Sequence, residues 1–410
     1  MPVLRRKISG SRRWLLLGIA AVALGLAIGR AWQRRDAKAP ALAPDPTTER
    51  LRALGYIGDV LDDPDPTREG VTLHDAGRAQ PGVNVYCSVH ATEIVFLSMQ
   101  GTPLHRLHLP ARGWGAGDCM VEPYDDRSIL ALDAPSLARL DRSSVLWVSD
   151  AAHHHDVSVG PDGTIYTLSE RRVFTNHAGG LLPVLDHFVT TLDANGRILR
   201  QIPLLELFRE RVPEERFARM SEVLREAGAE SPEYERESDV LHPNTIEILP
   251  RDLSVARAGA ALLCLRELDL LAMVDLETKQ VVWSWGAGEL DAPHHPSLLD
   301  NDHLLVFDNG RRRGASRVIE LDPATERIVW EYRGDPRSSF FSDVRGDAQA
   351  LPNGNVLITE STKGRVFEVT RAGEIVWEFW NPTRGEGGKR RQIYRMLRIP
   401  AERFEAFLGR

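Results

Sequence analysis

Val274-Asp275-Leu276-Glu277-Thr278-Lys279-Gln280-Val281-Val282-Trp283 is matched downstream by Leu321-Asp322-Pro323-Ala324-Thr325-Glu326-Arg327-Ile328-Val329-Trp330 and by Val369-Thr370-Arg371-Ala372-Gly373-Glu374-Ile375-Val376-Trp377. The closing tryptophans are 47 residues apart in both intervals. Each copy reads as a strand, a tight turn and a second strand, with Asp-Pro, Asn-Gly or Ala-Gly supplying turn chemistry. Weaker copies run from Leu140-Asp141 to Trp147, from Leu192-Asp193 to Leu199 and from Leu97-Ser98 to His105. A further strand with its own turn precedes each hairpin, as in Leu351-Pro352-Asn353-Gly354-Asn355-Val356-Leu357-Ile358. Four short strands per repeat of this length is the period of a propeller blade. Strand-type alternation and the density of turns exclude a helical solenoid. The expected fold is therefore all-β, a six-bladed β-propeller over residues 73–382.

One interval is too long. From Leu199 to Trp283 is 84 residues, and the surplus over residues 203–239 contains Glu214 to Gly228, in which Phe217, Met220, Val223 and Leu224 share one helical face. A helical insertion between blades is expected, serving either as a lid at one end of the channel or as a structural flap or partner surface. Residues 383–410 are expected to be a C-terminal tail packed on the propeller.

The N-terminus carries Arg5, Arg6, Lys7, Arg12 and Arg13 before an apolar run from Trp14 to Gly29. This predicts a signal or membrane anchor over residues 1–35, followed by a Pro-, Asp- and Ala-rich linker over 36–72. Ser11-Arg12-Arg13-Trp14-Leu15-Leu16 is similar to a twin-arginine export signal, and Ala41-Leu42-Ala43 offers a cleavage site. The body is expected in the bacterial periplasm, either tethered to the inner membrane through this segment or released. The formal net charge of −7 argues against nucleic acid as a partner. Cys87, Cys119 and Cys264 form no CxxC pair; they allow one disulfide and leave at least one thiol free. Nothing in the pattern implies an oligomeric state.

The start of each innermost strand lies at one mouth of a propeller channel. Ala152-His153-His154-His155-Asp156-Val157, Leu241-His242-Pro243-Asn244-Thr245-Ile246 and Ala292-Pro293-His294-His295-Pro296-Ser297 stand there in three consecutive repeats, with Gly346-Asp347-Ala348-Gln349 in the next. His155, His242 and His295 are thus expected to converge on the axis. Arg266, at a strand end in Cys264-Leu265-Arg266-Glu267-Leu268-Asp269, is expected to join them. His153, His154 and His294 are expected to point elsewhere, since strand alternation sends adjacent side chains apart. A histidine ring of this kind serves a metal, nucleophilic or acid–base catalysis, or blade-to-blade capping. Metal is the weaker functional choice, because only Asp156 offers a carboxylate in register and an arginine opposes a cation. Arginine with histidines suits a sulfate- or phosphate-like oxyanion. No GxxxxGK loop is present, so no nucleotide donor is implied.

His-His-Asp-Val before Pro-Asp-Gly, His-Pro-Asn-Thr-Ile, Leu-Arg-Glu-Leu-Asp, and His-Pro-Ser followed by Leu304-Leu305-Val306-Phe307-Asp308-Asn309-Gly310 occur in that order. Together with Tyr394-Arg395-Met396-Leu397-Arg398-Ile399-Pro400, they make residues 80–400 resemble bacterial arylsulfotransferases and the wider arylsulfotransferase-like propeller family. The resemblance implies a six-bladed propeller with a central site and no cofactor. It implies transfer of a sulfuryl group from a phenolic sulfate ester to a phenolic acceptor through a sulfohistidine on His295. His155, His242 and Arg266 would stabilise the sulfuryl oxygens or move protons. The alternative is a non-catalytic, membrane-tethered propeller that binds a ligand or protein partner.

Overall fold

The computed structural model describes residues 65–109 and 119–410. The expected N-terminal signal or anchor lies outside them. Among the described residues no helix is long and apolar enough to cross a membrane.

Six antiparallel sheets follow one another around an axis. From the axis outward, blade two is Met120–Pro123, Ser128–Asp133, Ser136–Asp141 and Val145–Ser149, and blade three is His153–Val159, Ile165–His177, Gly180–Leu192 and Ile198–Pro203. Blade four is Pro243–Ile248, Ala261–Leu265, Leu270–Asp275 and Gln280–Trp285. Blade five is Leu304–Asp308 between His294–Leu298 and Arg317–Asp322, with Arg327–Arg333 outside. Blade six is Asp347–Ala350, Val356–Glu360, Arg365–Val369 and Ile375–Trp380. Second strands such as Ala261–Leu265 and Leu304–Asp308 are buried along their whole length, because both faces meet a neighbouring blade. Outer strands such as Arg327–Arg333 alternate towards solvent.

Blade one corrects two expected boundaries. Its inner strand is Ile393–Ile399, paired with Val83–Ser88, after which come Glu93–Leu97 and Pro103–His108. Residues 383–410 are therefore not a tail laid on a finished ring, because they supply a blade strand. Gly70–His74, assigned in part to the linker, adds a fifth strand on the outer edge of blade six against Ile375–Trp380. The closing strand is anchored on both sides. Gln349 of blade six donates to Arg398 O at 3.0 Å and accepts from Arg398 N at 2.7 Å. The buried Arg398 guanidinium bonds Asn84 at 2.9 Å, pairs with Glu368 and lies 4.6 Å over the Trp377 ring.

Three of the repeat tryptophans share a task, whereas Trp283 packs in the wedge between blades four and five with Nε1 buried and unpaired. Trp147, Trp330 and Trp377 sit on outer strands and donate through Nε1 to a backbone carbonyl of the next blade: Ala194 at 2.9 Å, Arg371 at 2.9 Å and Met99 at 2.8 Å. The close approach at Trp147 needs Gly196, where a Cβ would fall 2.7 Å from the indole. The core is accordingly six apolar wedges between adjacent blades, with the 6–1 wedge built from Val95, Leu97, Leu357, Val366, Trp377 and Met396 among others. Cys87 of blade one is disulfide-bonded to Cys119, just before blade two, and Cys264 is a buried free thiol.

Between blades three and four, Leu204–Phe208, Glu214–Ala227 and Pro232–Ser238 are helical. Phe217, Met220 and Val223 are buried in the 3–4 wedge, with Leu224 packed against it. Tyr234 donates to Pro183 O at 2.5 Å, which seats the last helix on the long third strand of blade three.

Ring closure leads to a truncation test. Removing 393–410 should abolish cooperative unfolding and leave insoluble protein. Removing only 401–410 takes away Phe404 and Phe407, which pack 5.4 and 5.3 Å from Phe96, and should leave a folded but less stable propeller. Phe404→Ala alone should cost about 3 kcal/mol in urea denaturation.

Candidate functional site

The inner strands all begin at one mouth of the channel, and the three expected histidines stand there in one unusual conformation. His155, His242 and His295 have φ of 60°, 42° and 45°, in the left-handed region. Such a backbone costs a non-glycine residue about 1–2 kcal/mol and clusters at functional sites. The ladder to the second strand slips beside each of them, between His154 and Val157, between Pro243 and Thr245, and between His294 and Ser297. A bulge re-aims a side chain. It also breaks the alternation on which the placing of His154 and His294 rested. Both are buried: His154 packs 4.8 Å from the His155 ring but directs Nε2 to His187 at 3.1 Å, and His294 bonds Asn309 at 2.7 Å, so neither lines the channel cavity. In blade six the position matched to these histidines is Gly346 at φ 109°, where a Cβ would fall 2.4 Å from Phe307. That blade contributes Asp347 instead.

The site has two layers. In the first, the His155 and His242 rings are 4.6 Å apart, and the backbone N–H of the buried Arg266 donates to His242 O at 3.1 Å. Asp239, which follows the last helix, accepts from His242 Nδ1 at 2.5 Å with one oxygen and contacts His187 Nε2 at 2.8 Å with the other. Glu267 accepts from Arg266 at 2.7 Å and from Arg216 of the Glu214–Ala227 helix at 3.0 Å. The helical segment thus supports this layer from outside. Burial, then the charge of Arg266, lowers the His242 pKa, with Asp239 opposing; burial, then His242, holds His155 well below the usual imidazole range.

His295 lies in the second layer, on the wall of a channel cavity of about 430 Å³ that extends towards the far ends of the inner strands. No residue of the helical segment lines that cavity. Thr245 Oγ1 accepts the backbone N–H of His295 at 3.0 Å. The ring turns Nδ1 towards Asp347 Oδ1 at 3.4 Å, and Nε2 is buried with no hydrogen-bond partner, as is Asp347 Oδ2. Burial, then the charge of Arg395, pushes the His295 pKa well down, so the imidazole is neutral at pH 7. Tyr394 joins the layers: its hydroxyl donates to His155 O at 3.1 Å and its ring is 6.1 Å from that of His295. Structure therefore brings His155, His242 and Arg266 into one group and sets His295 apart from it across Tyr394.

Sequence reading missed Asp239, Asp347, Tyr394 and Arg395. Asp347 had a signal, since Gly346-Asp347 stands where His155-Asp156 does. Tyr394 and Arg395 arrive on the closing strand. Arg395 pairs with Glu122 and lies 3.8 Å from Asp156. Burial keeps Asp347, Asp156 and Glu247 protonated to about 6, 7 and 8.

The family profile described as Arylsulfotransferase (ASST) matches residues 103–382. No curated protein matches the chain. Among solved structures, a protein of unknown function from Bacteroides caccae is similar at 14% identity and a TM-score of 0.51, over 77% of this chain and 98% of that one. A catalytically inactive virginiamycin B lyase from Staphylococcus aureus is similar at 13% identity and a TM-score of 0.42, over 76% and 87%. At these identities the likeness is one of fold.

The channel carboxylates set a pH dependence. Their folded pKa values lie above the unfolded values of 3.8 and 4.5, so the folded state holds more protons and loses stability as pH rises through those values. Below pH 6.5 the buried neutral histidines act in the opposite direction, because unfolding lets them protonate. Stability should therefore fall between pH 6.5 and 8, and Glu247→Gln should flatten that fall in denaturant titrations at each pH.

Proposed function

Because the chain belongs to the arylsulfotransferase (ASST) family, we propose that it transfers a sulfuryl group from a phenolic sulfate ester to a phenolic acceptor, with His295 as the group that carries it. The observation that supports this most directly is the His295 ring: Nδ1 faces a carboxylate and Nε2 is buried, neutral and without a partner on the channel wall. A neutral nitrogen on a ring that a carboxylate can orient is the arrangement covalent catalysis needs.

In the first half-reaction Nε2 attacks sulfur, an N–S bond forms and the S–O bond to the aryl group breaks. The phenolate leaves with the bonding pair and takes a proton. Asp347, ionised above about pH 6, accepts the Nδ1 hydrogen and stabilises the positive charge that develops on the imidazole. In the second half-reaction the acceptor phenol loses its proton, its oxygen attacks sulfur and the N–S bond breaks, restoring neutral His295. Arg395, which lines the same cavity and whose charge reaches the His295 ring, is the cation placed to stabilise the sulfuryl oxygens; His155, His242 and Arg266, which the family resemblance assigns to that role, stand apart from His295 across Tyr394.

The Cys87–Cys119 disulfide supports an oxidising compartment and hence the reading of the N-terminal segment as an export signal or anchor with a periplasmic body.

Incubation with para-nitrophenyl sulfate and a phenol should release nitrophenolate, followed by absorbance. Donor alone should leave one sulfuryl group on the protein by mass spectrometry. His295→Ala should abolish both signals. Asp347→Asn should lower kcat by about 10²–10³-fold and remove the rise in rate near pH 6. Turnover that survives His295→Ala, or no turnover by the wild type across several aryl donors, would overturn the proposal.

A further inference from the structure

His154, Glu170 and His187 take no part in the reaction above, yet they form a cluster of their own in blade three. They stand on three adjacent strands, His153–Val159, Ile165–His177 and Gly180–Leu192. Glu170 and His187 are direct cross-strand partners, and His154 is opposite Leu168, two residues from Glu170. Side chains two residues apart on a strand share a face, as do directly opposed ones. All three therefore project to the same side of the sheet, and one donor atom from each lies within 4.8 Å of the others.

The local geometry is that of a coordination site. His187 Nδ1 is 3.1 Å from His154 Nε2 and 4.0 Å from Glu170 Oε2. Donor atoms held on one tetrahedral metal by bonds of about 2.0–2.1 Å are themselves about 3.3 Å apart. The first separation already matches; the Glu170 carboxylate, with the three donors spread over up to 4.8 Å, must swing inward to complete the set. His187 carries a further mark. Its other nitrogen, Nε2, meets Asp239 Oδ1 at 2.8 Å. A carboxylate there holds a proton on Nε2, so Nδ1, which is hydrogen-bonded to His154 Nε2, can offer its lone pair to a metal ion that displaces the hydrogen between the two rings, as for histidine-bound metals whose other ring nitrogen meets a carboxylate. Both histidines are buried, whereas the Glu170 side chain is 40% exposed and marks a route from solvent.

We propose that His154, Glu170 and His187 bind one divalent transition-metal ion, with Asp239 orienting the His187 ring through Nε2 and solvent completing the coordination. Two imidazoles and one carboxylate favour a borderline ion such as Zn²⁺ over hard, oxygen-seeking Mg²⁺ or Ca²⁺. The site is distinct from the His155, His242 and Arg266 group, although Asp239 touches both through its two oxygens. Binding here does not depend on the sulfuryl-transfer reading and is tested without it.

The full chain, stripped with chelator, is titrated with Zn²⁺ by calorimetry, and with Co²⁺ by visible absorption to report coordination geometry. One ion per chain is expected, with Mg²⁺ and Ca²⁺ unable to compete. His154→Ala and His187→Ala should abolish uptake; circular dichroism would verify that each is folded. Glu170→Gln, at a half-exposed position that leaves the fold intact, should weaken binding about 10–100-fold, as should Asp239→Asn. Absence of stoichiometric uptake by the wild type would overturn the proposal. So would uptake that persists in folded His154→Ala and His187→Ala, which would place the ion elsewhere, or an affinity unchanged in Glu170→Gln.

Discussion

The pairing of Ile393–Ile399 with Val83–Ser88 is the contact on which the rest of the molecule depends. A propeller has no continuous core. Each wedge between blades is satisfied only if the next blade is in place, and the last wedge requires the ring to close. Arg398 concentrates that requirement in one side chain, bonded to blade one through Asn84 and to blade six through Glu368. Such a buried pair gains little net stability over an apolar substitute, but losing one partner strands the other charge. It therefore selects one register for the closing strand, and that register places Tyr394 and Arg395 at the channel.

Closure sets six strand starts around one axis, and the chain departs from ideal strand geometry at those starts. Three histidines adopt a left-handed backbone at equivalent places, each beside a slip in the ladder. Local rules are broken where function is concentrated, and the surrounding structure absorbs the cost. Thr245, Asp156 and Glu247 show how: each bonds a backbone N–H on the next inner strand, at His295, Ile246 and Leu298. The polar groups that line the channel thus also hold neighbouring inner strands together.

Much of the fold was legible in the sequence because the repeat is a physical unit. Trp283, Trp330 and Trp377 recur at the blade period since each packs from an outer strand against the next blade. The closing strand was not legible as such, because it has no hairpin partner adjacent in sequence; only a count of strands in the first copy would have shown one missing. His155, His242 and His295 could be placed at the mouth by repetition alone. Their separation into two layers could not, since it depends on Tyr394, which comes between them on the closing strand. Asp239 lies at the end of a helical segment and reaches His242 and His187 only after that segment packs back on blade three.

The position of the closing strand also sets an order of events in biogenesis. Blades two to six can assemble as the chain emerges, each on the one before it, whereas blade one must wait with its inner edge unpaired. The Cys87–Cys119 bond can hold blades one and two together during that wait. When Ile393–Ile399 at last docks, it seals the ring and delivers Tyr394 and Arg395 in the same step. Assembly and competence are therefore one event, and a prematurely terminated chain carries every histidine of the site without the site itself.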